Sequence, residues 1–235
     1  MNSTTTVRTV PAVGTIPRTL IERNTAYATA INFLHVEEHN QDRLVEIAVE
    51  VAIRMAGAPG NIALNVLRSL DGSRVVTYGQ WQDPQAVASA EGRDGVETLI
   101  AEARSLTVND ARPRFYTVVY TDDRSASGVS VISPDYTGAI FINEITTLPA
   151  KQDRLLELVI ANNEIQSQHT PGYRSANFHK STDGERAVNY SLWDTAEQCI
   201  EAISAMADMD TNLEETVEIA NPDFRFYALV HSAHI

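Results

Sequence analysis

Asn189 and Trp193 stand four residues apart in Arg186-Ala187-Val188-Asn189-Tyr190-Ser191-Leu192-Trp193, a run that alternates as a β-strand does. Val188, Tyr190 and Leu192 fall on one face, and Ala187, Asn189, Ser191 and Trp193 on the other. A plain core face would carry Val, Ile or Leu. An amide and an indole N–H set among small residues instead offer hydrogen bonds to a planar, oxygen-bearing molecule, with space to hold it. The run Arg74-Val75-Val76-Thr77-Tyr78-Gly79-Gln80-Trp81 is a near copy, with Thr77 at the place of Asn189.

The other chemistry-bearing residues are less organised. His35 and His39 have the spacing of a metal pair, but the segment passes from strand to loop and puts them on no common helical face. His169, before the Pro171-Gly172 turn, and His179, on a strand, read as surface or pocket-edge histidines that could accept a proton. His231 and His234 carry no pattern. Cys199 is the single cysteine, so the chain forms no internal disulfide and no thiolate zinc cluster. Its apolar helical neighbours mark it as a buried small hydrophobe.

The elements that position these residues come from a duplicated chain. Gln41-Asp42-Arg43-Leu44 recurs as Gln152-Asp153-Arg154-Leu155, an offset of 153 − 42 = 111. Pro59-Gly60 recurs as Pro171-Gly172, and Trp81 as Trp193, an offset of 193 − 81 = 112. Phe115-Tyr116 returns as Phe226-Tyr227 at 111. Landmarks repeated in one order indicate two copies of one unit. Each copy reads strand, helix, strand, strand, helix, strand. In the second, strands are expected at Ala139–Ile145, Tyr173–Lys180, Arg186–Trp193 and Phe224–His231, with a helix from Gln152 to about Gln168. Asp194, with Glu197 three residues on, is expected to cap the following helix.

The expected class is therefore α+β: two tandem ferredoxin-like repeats, residues 27–120 and 137–235, joined by a linker at 121–136 and preceded by a flexible tail at 1–26. The sheet of such a unit has one face without helices. Each copy can cover the other, as the protomers of a dimer do, which makes the chain a fused pseudo-dimer.

Length and charge narrow the partners. The chain has 235 residues, 43% of them hydrophobic, enough for real cores. A formal net charge of −13 leaves no basic stripe for nucleic acid or anionic lipid. No signal-like segment and no run of about 18 apolar residues occurs, so the chain reads as cytoplasmic with no membrane partner.

The order of elements and the Val-Asn-Tyr-x-x-Trp run at 188–193 resemble the antibiotic biosynthesis monooxygenase family over residues 27–120 and 137–231. Its small enzymes form dimeric α+β barrels, and some are tandem fusions. The resemblance implies an anthrone oxygenase that acts on an aromatic polyketide with dioxygen and uses no flavin, haem or metal. It implies catalytic roles for Asn143, Asn189 and Trp193, and substrate-binding places for Asn32 and Trp81 in the first half. Thr77 stands where the first half's second amide would be. Haem-degrading relatives need a histidine on the helix after the Trp, and none occurs between Trp193 and His231 or between Trp81 and His169. A phenolic anthrone that loses a proton becomes an electron-rich carbanion able to reduce dioxygen. The protein then needs to orient it and stabilise the oxyanion with neutral donors. A non-oxidative polyketide cyclase or a ligand carrier would use the same pocket. The fused pseudo-dimer could also assemble further as a homo-oligomer.

Overall fold

The structure, a computed structural model, describes residues 18–148, 150–167, 170–209 and 213–234. His169 and most of the N-terminal tail lie outside the described residues. A short strand β1 (Thr19–Ile21) comes first. The first half follows as β2 (Ala28–His35), α1 (Gln41–Met55), β3 (Asn61–Ser69), β4 (Arg74–Trp81), α2 (Pro84–Glu91), α3 (Val96–Leu106) and β5 (Arg114–Asp123). After β6 (Ser130–Ile132) the second half runs β7 (Ala139–Thr147), α4 (Gln152–Ser167), β8 (Tyr173–Ser181), β9 (Arg186–Trp193), α5 (Ala196–Met209), α6 (Leu213–Ile219) and β10 (Ala220–His234). The expected α+β class and the pairing of two ferredoxin-like repeats are borne out. The second helix expected in the first half is two helices, α2 and α3, whereas in the second half α5 and α6 lie on either side of residues 210–212, outside the described residues.

The eight long strands close one barrel in the order β10-β3-β4-β2-β5-β8-β9-β7. Closure depends on the last strand of each half. The start of β5 pairs with β2 (Thr29 with Tyr116), and its remainder pairs with β8 of the sister half (Tyr116 with Ser181 through Asp123 with Ser175). Likewise β10 pairs first with β7 and then with β3. Inside, residues of both halves form one core that includes Ile31, Phe33, Val76, Tyr78, Ile142, Val188, Tyr190 and Leu192. Each half thus covers the bare face of the other's sheet, and no sheet edge is left open in the barrel. Expressed alone, residues 137–235 lose β5 from beside β8, so the fragment should aggregate or self-dimerise in size-exclusion chromatography with light scattering. A stable, fully active monomer would refute the shared-strand account.

Helices pack on the outer face, where each half has its own second core. The first helix of each half is anchored in the same way. Gln41 Nε2 donates to the carbonyls of Ser69 and Arg74 at 2.9 Å each. Gln152 Nε2 donates to those of Ser181 and Arg186 at 3.0 and 2.7 Å. A buried glutamine left without these acceptors would be costly, which explains why Gln opens both helices.

Three local expectations need correction. The stretch read as a flexible tail ends in structure: β1 pairs antiparallel with β6, which lies in the stretch read as linker. Ile21 and Ile132 insert into the barrel core, and Thr19 Oγ1 accepts from Asn65 Nδ2 at 2.8 Å. Three-residue strands within Ser-, Thr- and Asp-rich sequence give too short an alternation to read. The cap of α5 is Thr195, whose Oγ1 accepts from Gln198 N at 3.2 Å. Asp194 is taken instead by Arg174, at 2.6 and 2.9 Å.

His179 is neither at the surface nor at a pocket edge. It is fully buried in the barrel, with Nε2 3.1 Å from Tyr78 Oη, at the place Leu67 holds in the first half. Burial lowers its pKa from 6.5 to about 4. The folded state therefore resists a proton that the unfolded chain accepts. This contribution is complete above pH 6.5 and is lost as pH falls towards 4, on the order of 3 kcal/mol. In urea titrations at several pH values, the stability of the parent relative to His179→Leu should fall across that window. A constant difference would show that folding leaves the His179 pKa unshifted.

Candidate active site

Two equivalent cavities lie between sheet and helices, one in each half, rather than inside the barrel. Alternation places Asn189, Ser191 and Trp193 on the outer face of β9, as expected, with Asn143 directly opposite Asn189 on β7. All four line the second-half cavity of about 290 Å³. Its floor and wall are aromatic. Phe141 stacks on Phe224 with centroids 5.2 Å apart, and Tyr173 meets Trp193 edge-on at 5.3 Å. From the helices, Val159, Asn162 and Asn163 of α4 and Cys199, Ala202 and Ile203 of α5 close the other side. Cys199 is buried as expected, and burial pushes its thiol up to about 12, so it stays protonated.

The hydrogen bonds give the polar groups distinct capacities. Asn143 Oδ1 accepts from Asp223 N at 3.0 Å, which fixes the amide and leaves Nδ2 without an acceptor among the described residues. Asn189 Oδ1 is buried with no partner among the described residues. A carbonyl oxygen in that state is costly unless a ligand donates to it. The indole N–H of Trp193 is engaged: it donates to Ser191 Oγ at 3.1 Å. The expectation of a free indole donor is replaced by a pair in which the Ser191 hydroxyl can pass on its own hydrogen.

The first-half cavity uses the equivalent places and measures about 100 Å³. Asn32 and Trp81 line it, with Thr77 opposite Asn32. Gly79 stands where the second half has Ser191. A Cβ there would meet Trp81 Nε1 at 2.7 Å and Leu64 at 3.1 Å, so indole and leucine fill the space above the strand. Ala176 replaces Leu64 in the second half, and the amides Asn162 and Asn163 replace Val51 and Ala52. In the first half, α3 also contributes Ile100, Ala103 and Arg104 to the lining.

Sequence reasoning singled out Asn32, Trp81, Asn143, Asn189 and Trp193, and the structure brings each group of them to one cavity. It did not assign Ser191, Asn163 or Tyr173 to a site. Subtracting the halves would have flagged Asn163, because a polar residue replaces Ala52 on an otherwise apolar helix face. His35 and His39 do not meet a common ligand: His35 Nε2 lies 3.5 Å from Glu144, while His39 is exposed.

Residues 28–102 match the antibiotic biosynthesis monooxygenase family. Tetracenomycin-F1 monooxygenase of Streptomyces glaucescens is 30% identical over 104 residues, which span 92% of that protein and 44% of this chain. The chain belongs to the antibiotic biosynthesis monooxygenase family. That relative is close to half as long as this chain, as a single repeat would be. The crystal structure of an anthrone oxidase-like protein superposes with a TM-score of 0.77 at 16% identity, covering 92% of this chain and 96% of that one. Its match over both halves places the two-repeat barrel among known folds. Monooxygenase activity follows from membership. Among the described residues no helix is long and apolar enough to cross a membrane.

Proposed function

We propose that the second-half cavity oxidises an anthrone-like aromatic polyketide to its quinone with dioxygen, without flavin, haem or metal. The observation that carries this reading is the pair Asn143 and Asn189, set across two strands in a cavity walled by aromatic rings. A flat polyphenol suits the rings, and its oxygens suit the amides. The volume of about 290 Å³ is at the small end of ligand pockets, in keeping with a few fused rings.

The chemistry asks little of the protein beyond placement and charge stabilisation. Loss of a proton from the substrate gives a delocalised anion. Asn143 Nδ2 and Asn189 Nδ2 are disposed to donate to its oxyanion, and Asn189 Oδ1 to accept from a neighbouring phenol O–H. The anion transfers an electron to dioxygen, and recombination at carbon forms a C–O bond. The hydroperoxide then loses water as the C=O forms. In balance, the methylene group of the anthrone and one dioxygen become a carbonyl group and one water. Trp193, backed by Ser191 and Tyr173, sets the plane in which the rings lie.

The test is dioxygen uptake by chelator-treated, colourless protein against a panel of anthrones and naphthacenones. Uptake matched one-to-one by quinone is expected. A strict requirement for added flavin, haem or metal would defeat the proposal. Product formed equally fast without dioxygen would indicate a cyclase.

A further inference from the structure

The substrate's proton needs a destination, and none of the cavity's amides is a base. The bulge in β5 supplies a candidate. Val118 pairs with His179 and Tyr120 with Phe178, so Val119 is an extra residue. Such a bulge reverses which side chains face outward. Before it, Tyr116 and Val118 point into the barrel; after it, Asp122 pairs with the cavity residue Ala176. Asp122, a residue of the first half's last strand, therefore reaches the back of the second half's cavity.

There it meets Tyr173. The phenol O–H of Tyr173 donates to Asp122 Oδ2 at 3.0 Å, and its oxygen accepts from Asn163 Nδ2 at 3.3 Å. Tyr173 lines the cavity, whereas Asp122 sits behind it. Arg124 Nη2 lies 3.4 Å from the same Asp122 oxygen, and its guanidinium stands 5.4 Å from the centre of the Tyr173 ring. Burial, first, and the nearby Asp122 raise the Tyr173 pKa, so the phenol remains protonated and cannot serve as a base unaided. It can pass a proton. The phenol oxygen has a second lone pair for a cavity ligand while its hydrogen is already directed at a carboxylate.

The first half has no such arrangement. Tyr173 corresponds to Asn61 (173 − 61 = 112), Asp122 to Ala233 (233 − 122 = 111) and Asn163 to Ala52 (163 − 52 = 111). In the second half Tyr173 and Asn163 line the cavity that also holds Asn143 and Asn189, and Asp122 stands behind Tyr173.

Building on the function proposed above, we infer that Tyr173 and Asp122 form a proton relay that ionises the substrate. The substrate O–H or C–H gives its proton to Tyr173 Oη as the Tyr173 hydrogen moves to Asp122. The electron pair of the broken bond stays on the substrate as enolate, and Asp122 becomes a carboxylic acid. After carbon has combined with dioxygen, the proton returns along the same path to the peroxide oxygen. Tyr173 is the catalytic residue of the pair, and Asp122 acts through it.

The experiment uses dithranol, a phenolic anthrone, with the full chain and the variants Asp122→Asn and Tyr173→Phe. Asp122→Asn retains an acceptor for the Tyr173 hydrogen, so the fold and the cavity should persist. Under anaerobic conditions the parent should bind dithranol largely as its coloured enolate, and both variants should bind it neutral, weaker only by the several-fold that ionisation adds to binding by the parent. In air, kcat for dioxygen uptake should fall by roughly 10²–10⁴-fold, the usual contribution of general acid–base catalysis, with KM little altered. Equal enolate fractions in parent and variants would overturn the relay, as would loss of ionisation in Asp122→Asn alone. A parent that binds enolate but consumes no dioxygen would overturn the oxygenase reading and leave the relay supported.

Discussion

Replacing Asn189 by alanine should lower steady-state dioxygen uptake by roughly a hundred- to a thousand-fold, the usual cost of about 2.7–4 kcal/mol for one lost oxyanion donor. Its amide faces Asn143 across the strands, and its Oδ1 is buried without a partner among the described residues, so alanine removes both a donor and an acceptor from the cavity. Substrate affinity should change much less, because the aromatic walls remain. Thr77→Ala is the control. Thr77 holds the equivalent place in a cavity of about 100 Å³, against about 290 Å³ in the second half, so its loss should leave the rate nearly intact. A silent Asn189→Ala beside a crippling Thr77→Ala would put the reaction in the first half.

The largest stability effect is expected at Glu144. Its carboxylate is almost fully buried, pairs with Arg186 and lies 3.5 Å from His35 Nε2. Removing one partner of a buried pair leaves the other charge unpaired, at a cost of about 3–5 kcal/mol. Arg186 keeps 25% of its side chain exposed, which places Glu144→Ala toward the lower end of that range. Glu144→Gln retains an acceptor for the guanidinium and should lose less. Urea unfolding at neutral pH measures both, and an alanine variant as stable as the parent would show that water takes over the charge.

Much of this fold is legible in the sequence because the copies check each other. The alternation in Arg186–Trp193 gives strand bounds that match the structure, and it puts Asn189 and Trp193 on the cavity side. The break between α2 and α3 was not legible, because the second copy has no glycine at the places of Gly92 and Gly95 to repeat the signal. The barrel interior also escaped. His179 looks polar and accessible in sequence, yet it takes a leucine's place because Tyr78, 101 residues away, supplies its hydrogen bond. Asp122 escaped for a related reason. One extra residue at Val119 inverts the faces of the strand, and nothing local to that residue announces it.

The shared terminal strands have an evolutionary consequence. In a homodimer built on this barrel, the two-fold axis would make every substitution twice, so opening one pocket would open both and filling one would fill both. Joining the copies in one chain abolishes that obligation. Leu64 and Gly79 can shape one side while Ala176 and Ser191 shape the other, and Asp122 can be acquired by one strand while its twin keeps Ala233. The closed barrel still needs all eight strands, so the half relieved of hosting a large ligand remains under selection as the other's scaffold.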